Sequence, residues 1–399
     1  MVCRTRPSRR REAKIAAFAL VGLLWANSAH AQPLRLRADA VAETSSPAGL
    51  IVLQGQDRLR PWLDVEGLVW GGARPDATGD VLVLALRLHD LKGRTELRAG
   101  RFVLSTGAVR PVQLDGAKAL ARLPFGAVVE VFGGAPVVPR FASVPYDWLA
   151  GGRVAQSIGH RATLGVSYVQ RRSHMEIADE EVGADLTTMP LPWLDIAGRG
   201  AYDLSSPGIA EAIASAAART KKTRFELFAS HRSPGRLLPA TSLFSVLGDF
   251  PSESVGMTVL WKAAPRLDLL VSGAGQQVGG TYGYNAWVRS TLRLDDKGAG
   301  YMGLEIRRQD VSTAQWTGLR AVASLPIVAT FRFSTELEVA LPDQPNGRGI
   351  AWPWGLLALS WRPGKGAWET AAAVEAGGSP LNRYEVNGLL RLSRTLELP

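Results

Sequence analysis

Along residues 383–392, Tyr384, Val386, Gly388, Leu390 and Leu392 fall on one face, and Arg383, Glu385, Asn387, Leu389 and Arg391 on the other. A strand sends successive side chains to opposite faces, whereas a helix repeats every ~3.6 residues, so a period of two predicts a strand. The same reading holds at 331–341, where Phe331, Phe333, Thr335, Leu337, Val339 and Leu341 oppose Arg332, Ser334, Glu336, Glu338 and Ala340. At 224–232, Phe225, Leu227 and Ala229 alternate with Arg224, Glu226, Phe228 and Ser230, and at 302–307, Met302, Leu304 and Ile306 alternate with Gly303, Glu305 and Arg307. Looser alternation predicts strands at 34–43, 49–56, 62–70, 80–89, 95–105, 127–133, 150–158, 161–171, 182–188, 194–204, 254–262, 267–277, 281–294, 316–324, 355–362 and 368–376. The alanine-rich segment 209–218 has helix propensity, but Ile209, Glu211, Ile213 and Ser215 alternate with alanines and strand 223–232 needs an antiparallel neighbour. It is read as a strand.

Turn signals separate these runs, among them Gly71-Gly72, Asp295-Asp296-Lys297-Gly298, Pro363-Gly364-Lys365-Gly366 and Gly377-Gly378-Ser379-Pro380. Such short connections predict antiparallel hairpins. Two stretches, 106–126 and 233–253, carry no clear period and read as long loops.

The N-terminus sets the compartment. Arg4, Arg6, Arg9, Arg10, Arg11 and Lys14 precede an apolar run from Ile15 to Ala26 and an Ala29-His30-Ala31 site, the pattern of a cleaved signal peptide over residues 1–31. That segment carries six of the 46 Lys+Arg and one of the 36 Asp+Glu, leaving 40 against 35. The basic precursor therefore becomes only mildly cationic, and with no zinc-finger, RNP or P-loop pattern a nucleic-acid partner is excluded. Cys3, the single cysteine, lies inside the signal, so the mature chain has neither disulfide nor thiolate metal site. Glycine and proline are spread evenly, and residues 32–399 read as one domain.

A soluble sandwich also alternates, so the surroundings of the apolar face decide the class. Trp62, Trp70, Trp261, Trp316, Trp361 and Trp368 sit near strand ends, where a membrane barrel places its aromatic girdles. Charges stand mid-strand on the opposite face, and a midplane Arg or Lys facing lipid costs about 2–4 kcal/mol, so they are expected to line a lumen. These are Arg224, Glu226, Arg289, Arg293, Glu305, Arg307, Arg332, Glu336, Glu338, Arg383, Glu385 and Arg391. On these features the chain resembles Gram-negative outer-membrane β-barrels of porin-like size, which implies an all-β, single antiparallel transmembrane barrel in the outer membrane. With roughly 20 residues per strand and turn, 16–18 strands are expected. The end, Leu396-Glu397-Leu398-Pro399, departs from the terminal aromatic usual in that class. A short pattern, Gly100-Arg101-Phe102, Gly107-Ala108-Val109-Arg110 and Asp115-Gly116-Ala117, is similar to one in polysaccharide-export and related large barrels.

No local motif carries enzyme chemistry. His89, His160, His174 and His231 show no metal-ligand spacing, and no G-x-S-x-G occurs. The acidic run Glu176, Asp179, Glu180 and Glu181 lacks EF-hand spacing and reads as a solvated turn. No catalytic residue, cofactor or metal is expected. Within 106–126, Arg110, Asp115, Lys118 and Arg122 are expected to form a charged constriction folded into the lumen, while apolar 233–253 either plugs the mouth or caps the rim. The expected function is passive passage of small or anionic solutes, with outer-membrane lipid and the barrel-assembly machinery as partners. The alternatives are a plugged structural or surface-recognition barrel without conduction, and a secreted soluble β-protein.

Overall fold

The computed structural model describes residues 34–43, 48–74, 76–137, 147–233, 252–278, 280–296, 298–311, 314–344, 350–364, 368–378 and 385–398. The expected signal peptide, nearly all of 233–253 and Arg383 lie outside them. The strands in chain order are β1 (Leu34–Glu43), β2 (Ala48–Arg60), β3 (Leu63–Arg74), β4 (Asp76–His89), β5 (Thr95–Thr106), β6 (Val109–Arg122), β7 (Ala127–Pro136), β8 (Trp148–Ile158), β9 (Ala162–Ser173), β10 (Glu176–Leu191) and β11 (Leu194–Asp203). They continue as β12 (Gly208–Arg219), β13 (Thr223–Arg232), β14 (Ser252–Ala264), β15 (Leu267–Val278), β16 (Thr281–Arg293), β17 (Tyr301–Val311), β18 (Ala314–Val328), β19 (Phe331–Pro342), β20 (Trp352–Trp361), β21 (Trp368–Gly377) and β22 (Glu385–Leu398). Each pairs antiparallel with its chain neighbours, and β22 returns to β1 with Leu34 opposite Leu398 and Glu43 opposite Leu389. Closure leaves the sheet without an edge strand.

The barrel class stands, but the count is 22 strands rather than 16–18. Many turns are tighter than the unit length assumed: two residues join β10 to β11 and a single residue separates β3 from β4, giving about 17 residues per strand and turn. The stretch 106–126 is no long loop, since most of it is β6. Segment 209–218 is a strand, paired on both sides. At a strand spacing of ~4.8 Å and a tilt of ~40°, 22 strands close a circle roughly 44 Å across at the backbone.

The outer face is an apolar belt. Leu227, Val255, Met257, Val288, Met302, Leu304, Ile306, Leu337, Leu357, Val374 and Leu390 alternate with polar residues yet stand exposed. A contiguous surface of this kind is unsuited to water and suits lipid. Exposed Trp62, Trp193, Trp261, Trp361 and Trp368 all sit at the barrel end where β1 starts and β22 finishes, a girdle at one membrane interface. Trp70 and Trp316 do not belong to it. Alternation puts Trp70 on the face of Glu66, and Trp316 lies beside the inward Arg307, so both belong to the lumen wall.

The hydrophobic core lies inside the barrel. β5 pairs with β4 only from Glu96 to Arg101, and β6 pairs with β7 only from Leu114 to Arg122. Between these limits the arms from Phe102 to Val112 form ladders only with each other. This hairpin leaves the wall. Its Phe102, Leu104, Val109, Val112 and Leu114 pack with Ala85, Phe132, Leu149 and Val169, the last three on the inner faces of β7, β8 and β9.

Candidate functional site

The sequence pattern Gly100-Arg101 with Asp115-Gly116 is the hinge of this hairpin. Gly100 lies opposite Gly116, which lies opposite Gly134, and Arg101 lies opposite Asp115. Gly100 has φ +123°, and a Cβ there would collide with the Leu84 carbonyl, so only glycine lets β5 turn inward at this point. Arg101 grips Asp115 through two parallel hydrogen bonds of 2.7 Å and reaches Asp80 at 3.2 Å, a bidentate clasp across the two arms.

Two charge clusters hold the hairpin tip. Thr106 Oγ1 donates to Glu130 of β7 at 2.7 Å, and Glu130 also takes Lys118 at 2.5 Å and Arg153 of β8 at 3.2 Å. Arg153 in turn binds Asp185 of β10 through Nε at 2.9 Å and Nη2 at 2.6 Å, and Gly107 at the tip lies against that pair. Beyond it, Arg110 pairs with Glu181 of β10, while Arg171 of β9, fully buried, pairs with Asp179 and approaches Glu181 at 3.7 Å. The hairpin thus runs along the wall over β7–β10. Arms of about five residues reach about 17 Å, well short of crossing a lumen this wide.

Of the four residues expected to constrict the lumen, Arg110 and Lys118 are brought to the clusters beneath the hairpin. Asp115 belongs to the hinge clasp, and Arg122 sits at the terminal rim, donating to the Gly93 carbonyl at 2.6 Å. They form no common ring. The acidic run is not a solvated turn either: its residues start β10, where Asp179 and Glu181 are neutralised by Arg171 and Arg110, and Glu180 accepts from Tyr168. The turn itself is His174-Met175, both at positive φ.

On the face opposite the apolar belt, the mid-strand charges lie in neighbouring pairs. Arg289 binds Glu305 at 2.6 Å, Arg307 binds Glu305 at 2.5 Å and Glu338 at 3.6 Å, and Arg320 binds Glu336 at 2.6 Å. Arg293 binds Asp268 at 3.1 Å, Arg224 binds Glu226 at 2.9 Å, Arg332 donates to Ser324 at 3.1 Å, and Arg391 reaches Asp39 across the β1–β22 seam at 2.9 Å. Glu385 falls on the same face of β22 as Arg391. Among the described residues no group of three His, Cys, Asp or Glu is arranged to hold a metal. His89 lies 3.3 Å from Asp64, which also takes Arg58 at 3.2 Å, and His231 lies 3.0 Å from Glu253, both at strand ends. The sequence reading missed Asp39, Asp268 and Arg320 as partners, because their alternation is legible but their cross-strand register is not.

No protein-family model matches the sequence, and no curated protein matches it. Solved structures do resemble the fold. The translocation pore of the P pilus usher PapC aligns with TM-score 0.50 at 11% identity, covering 93% of this chain and 100% of that one. OccK5 (OpdH) from Pseudomonas aeruginosa aligns with TM-score 0.40 at 12% identity over 92% of this chain and 98% of that one. The outer membrane protein OpdK of the same organism aligns with TM-score 0.39 at 12% identity over 92% and 98%. The closed sheet, its apolar belt and its tryptophan girdle make this protein a large β-barrel of the outer membrane.

Proposed function

We propose that the protein is a non-enzymatic pore, through which small hydrophilic solutes diffuse along a charge-paired wall. The observation that carries this reading is the width of a closed 22-strand barrel, in which the one inward hairpin among the described residues follows the wall instead of spanning it. Barrels of 16 or more strands leave an aqueous channel unless loops fill it. The wall's charges are mostly matched, which favours polar solutes broadly and gives anions a modest preference from the residual cationic excess. Residues 1–31 are removed on export, the barrel-assembly machinery inserts the chain, and lipid surrounds the apolar belt.

Purified protein reconstituted in planar bilayers tests the reading. Stepwise conductance is expected, with a reversal potential in a KCl gradient displaced modestly toward chloride. Absence of channel events in repeated reconstitutions rejects the pore. The hairpin favours a second reading, a plugged barrel, which predicts silence in the intact protein and conduction once residues 103–112 are replaced by a short glycine linker.

A further inference from the structure

Four tryptophans gather on one sector of the inner wall. In register, Trp287, Arg307, Gly318, Ala340 and Trp352 form one row across β16–β20. The next row toward the terminal end is Arg289, Glu305, Arg320, Glu338 and Trp354, and Trp316 stands one row toward the loop end, opposite Gln309. At the strand spacing the sector is about 20 Å wide. On its terminal side a cavity of about 280 Å³ opens, lined by Arg289, Glu305, Arg320, Ser334 and Glu336 and by none of the four tryptophans.

The wall is shaped for the indoles. A Cβ on Gly318 would come within 2.6 Å of the Trp316 ring, and one on Gly377 within 2.7 Å of Trp354. The missing side chain at each glycine thus leaves room for the indole beside it. Trp354 is fixed by donating Nε1 to Glu375 at 2.8 Å, and the guanidiniums of Arg289 and Arg307 lie over the rings of Trp287 and Trp316, 5.2 and 5.9 Å from their centroids. Three arginines here meet four carboxylates, Glu305, Glu336, Glu338 and Glu375, so the sector offers no net positive charge to hold a small anion. It offers apolar indole surface beside a dense set of fixed donors and acceptors. A ligand matching both has apolar C–H faces and a hydroxyl rim, which describes a pyranose.

We propose that this sector binds neutral saccharides, the indole faces of Trp316 and Trp354 stacking on sugar rings whose hydroxyls bond the Arg–Glu pairs. The proposal rests on the pore reading for its access route, but binding is measured without conduction. Maltohexaose titrated into the detergent-solubilised protein is expected to change tryptophan fluorescence saturably, with a polyethylene glycol of similar mass inert. Trp316→Ala and Trp354→Ala should each weaken binding about tenfold, the effect of losing about 1.4 kcal/mol of ring contact. Trp261→Phe, on the lipid face, should leave it unchanged. Retained heat-modifiable migration on gels establishes that each variant is folded, and Trp354→Tyr, which keeps a ring, should recover part of the affinity. In bilayers the same sugar should block current saturably. Saturable fluorescence from a barrel that never conducts would reject the pore while sustaining the site. No saturable change with wild type, equal response to polyethylene glycol, or full affinity in folded Trp316→Ala and Trp354→Ala would overturn the site.

Discussion

Removing the Glu181 carboxylate tests what holds the inward hairpin. Glu181 sits between Arg110 of the hairpin and Arg171 of β9, all three buried. Glu181→Ala leaves two buried cations with Asp179 and Asp203 as the remaining buried carboxylates nearby, and deleting one partner of a buried pair costs about 3–5 kcal/mol. Against this stand Phe102, Leu104, Val109, Val112 and Leu114, each 0–2% exposed. At about 1.5–3 kcal/mol per side chain their burial amounts to roughly 7–15 kcal/mol as an upper bound. Apolar packing therefore outweighs the ionic latch about two- to threefold. Glu181→Ala should lower thermal stability while the hairpin stays down, whereas adding Phe102→Ala and Leu104→Ala, together about 5–10 kcal/mol, should free it. A maleimide reports the difference at Ala108→Cys, since Cys3 is the only native cysteine. Ala108 is buried, so labelling should be slow in the Cys variant alone, slow with Glu181→Ala, and fast in the combined variant, whose conductance should approach that of the hairpin deletion. Fast labelling with Glu181→Ala alone would refute the reasoning, since the charges would then be the dominant restraint.

Ile306 stands 54% exposed on the outer face at the middle of β17, so Ile306→Arg should cost about 2–4 kcal/mol in folding free energy measured by denaturant titration in lipid. Gly100→Ala forces a side chain into positive φ and against the Leu84 carbonyl, and should cost about 1–3 kcal/mol while raising Ala108→Cys labelling. In the turn after β4, Asp90 accepts the Thr95 amide at 2.9 Å, which holds its carboxyl below the ordinary carboxylate range. A lowered folded value means the stabilisation is present above the ordinary pKa of about 3.9 and is lost as pH falls through the lower folded value. A carboxyl-carbon NMR titration should find Asp90 below its free value, and Thr95→Pro, which removes that amide, should move it upward.

The local pattern carried more information than the average. Strand by strand, alternation marks every strand except β6, including the ambiguous 209–218, yet dividing the length by a typical unit gave 16–18 strands against the 22 present. Alternation failed at β6 for a physical reason. From Val109 to Leu114 that strand is buried on both faces except at Pro111, because it lies between its partner arm and the barrel wall, and Val109, Arg110, Pro111, Val112, Gln113 and Leu114 therefore show no two-residue period. Period two reports a strand with different surroundings on its two sides, so its loss within an otherwise alternating chain marks a strand that has left the wall. The same logic explains what could be read of the inner face. Arg307 and Glu338 betray their side of the sheet by alternation, but their pairing across β17–β19 depends on a register set by two turns, each without a residue type that fixes it. Trp316 misled because a strand end is where both a girdle and an inner platform occur. What separates them is the neighbour: glycine opposite the inner Arg307 makes room for the indole, and the lipid-facing Trp361 instead stacks on Phe331. A sequence that places glycine two residues from a strand-end tryptophan, on the same face, as Trp316 and Gly318 are placed, thus carries a readable signal for an inward ring.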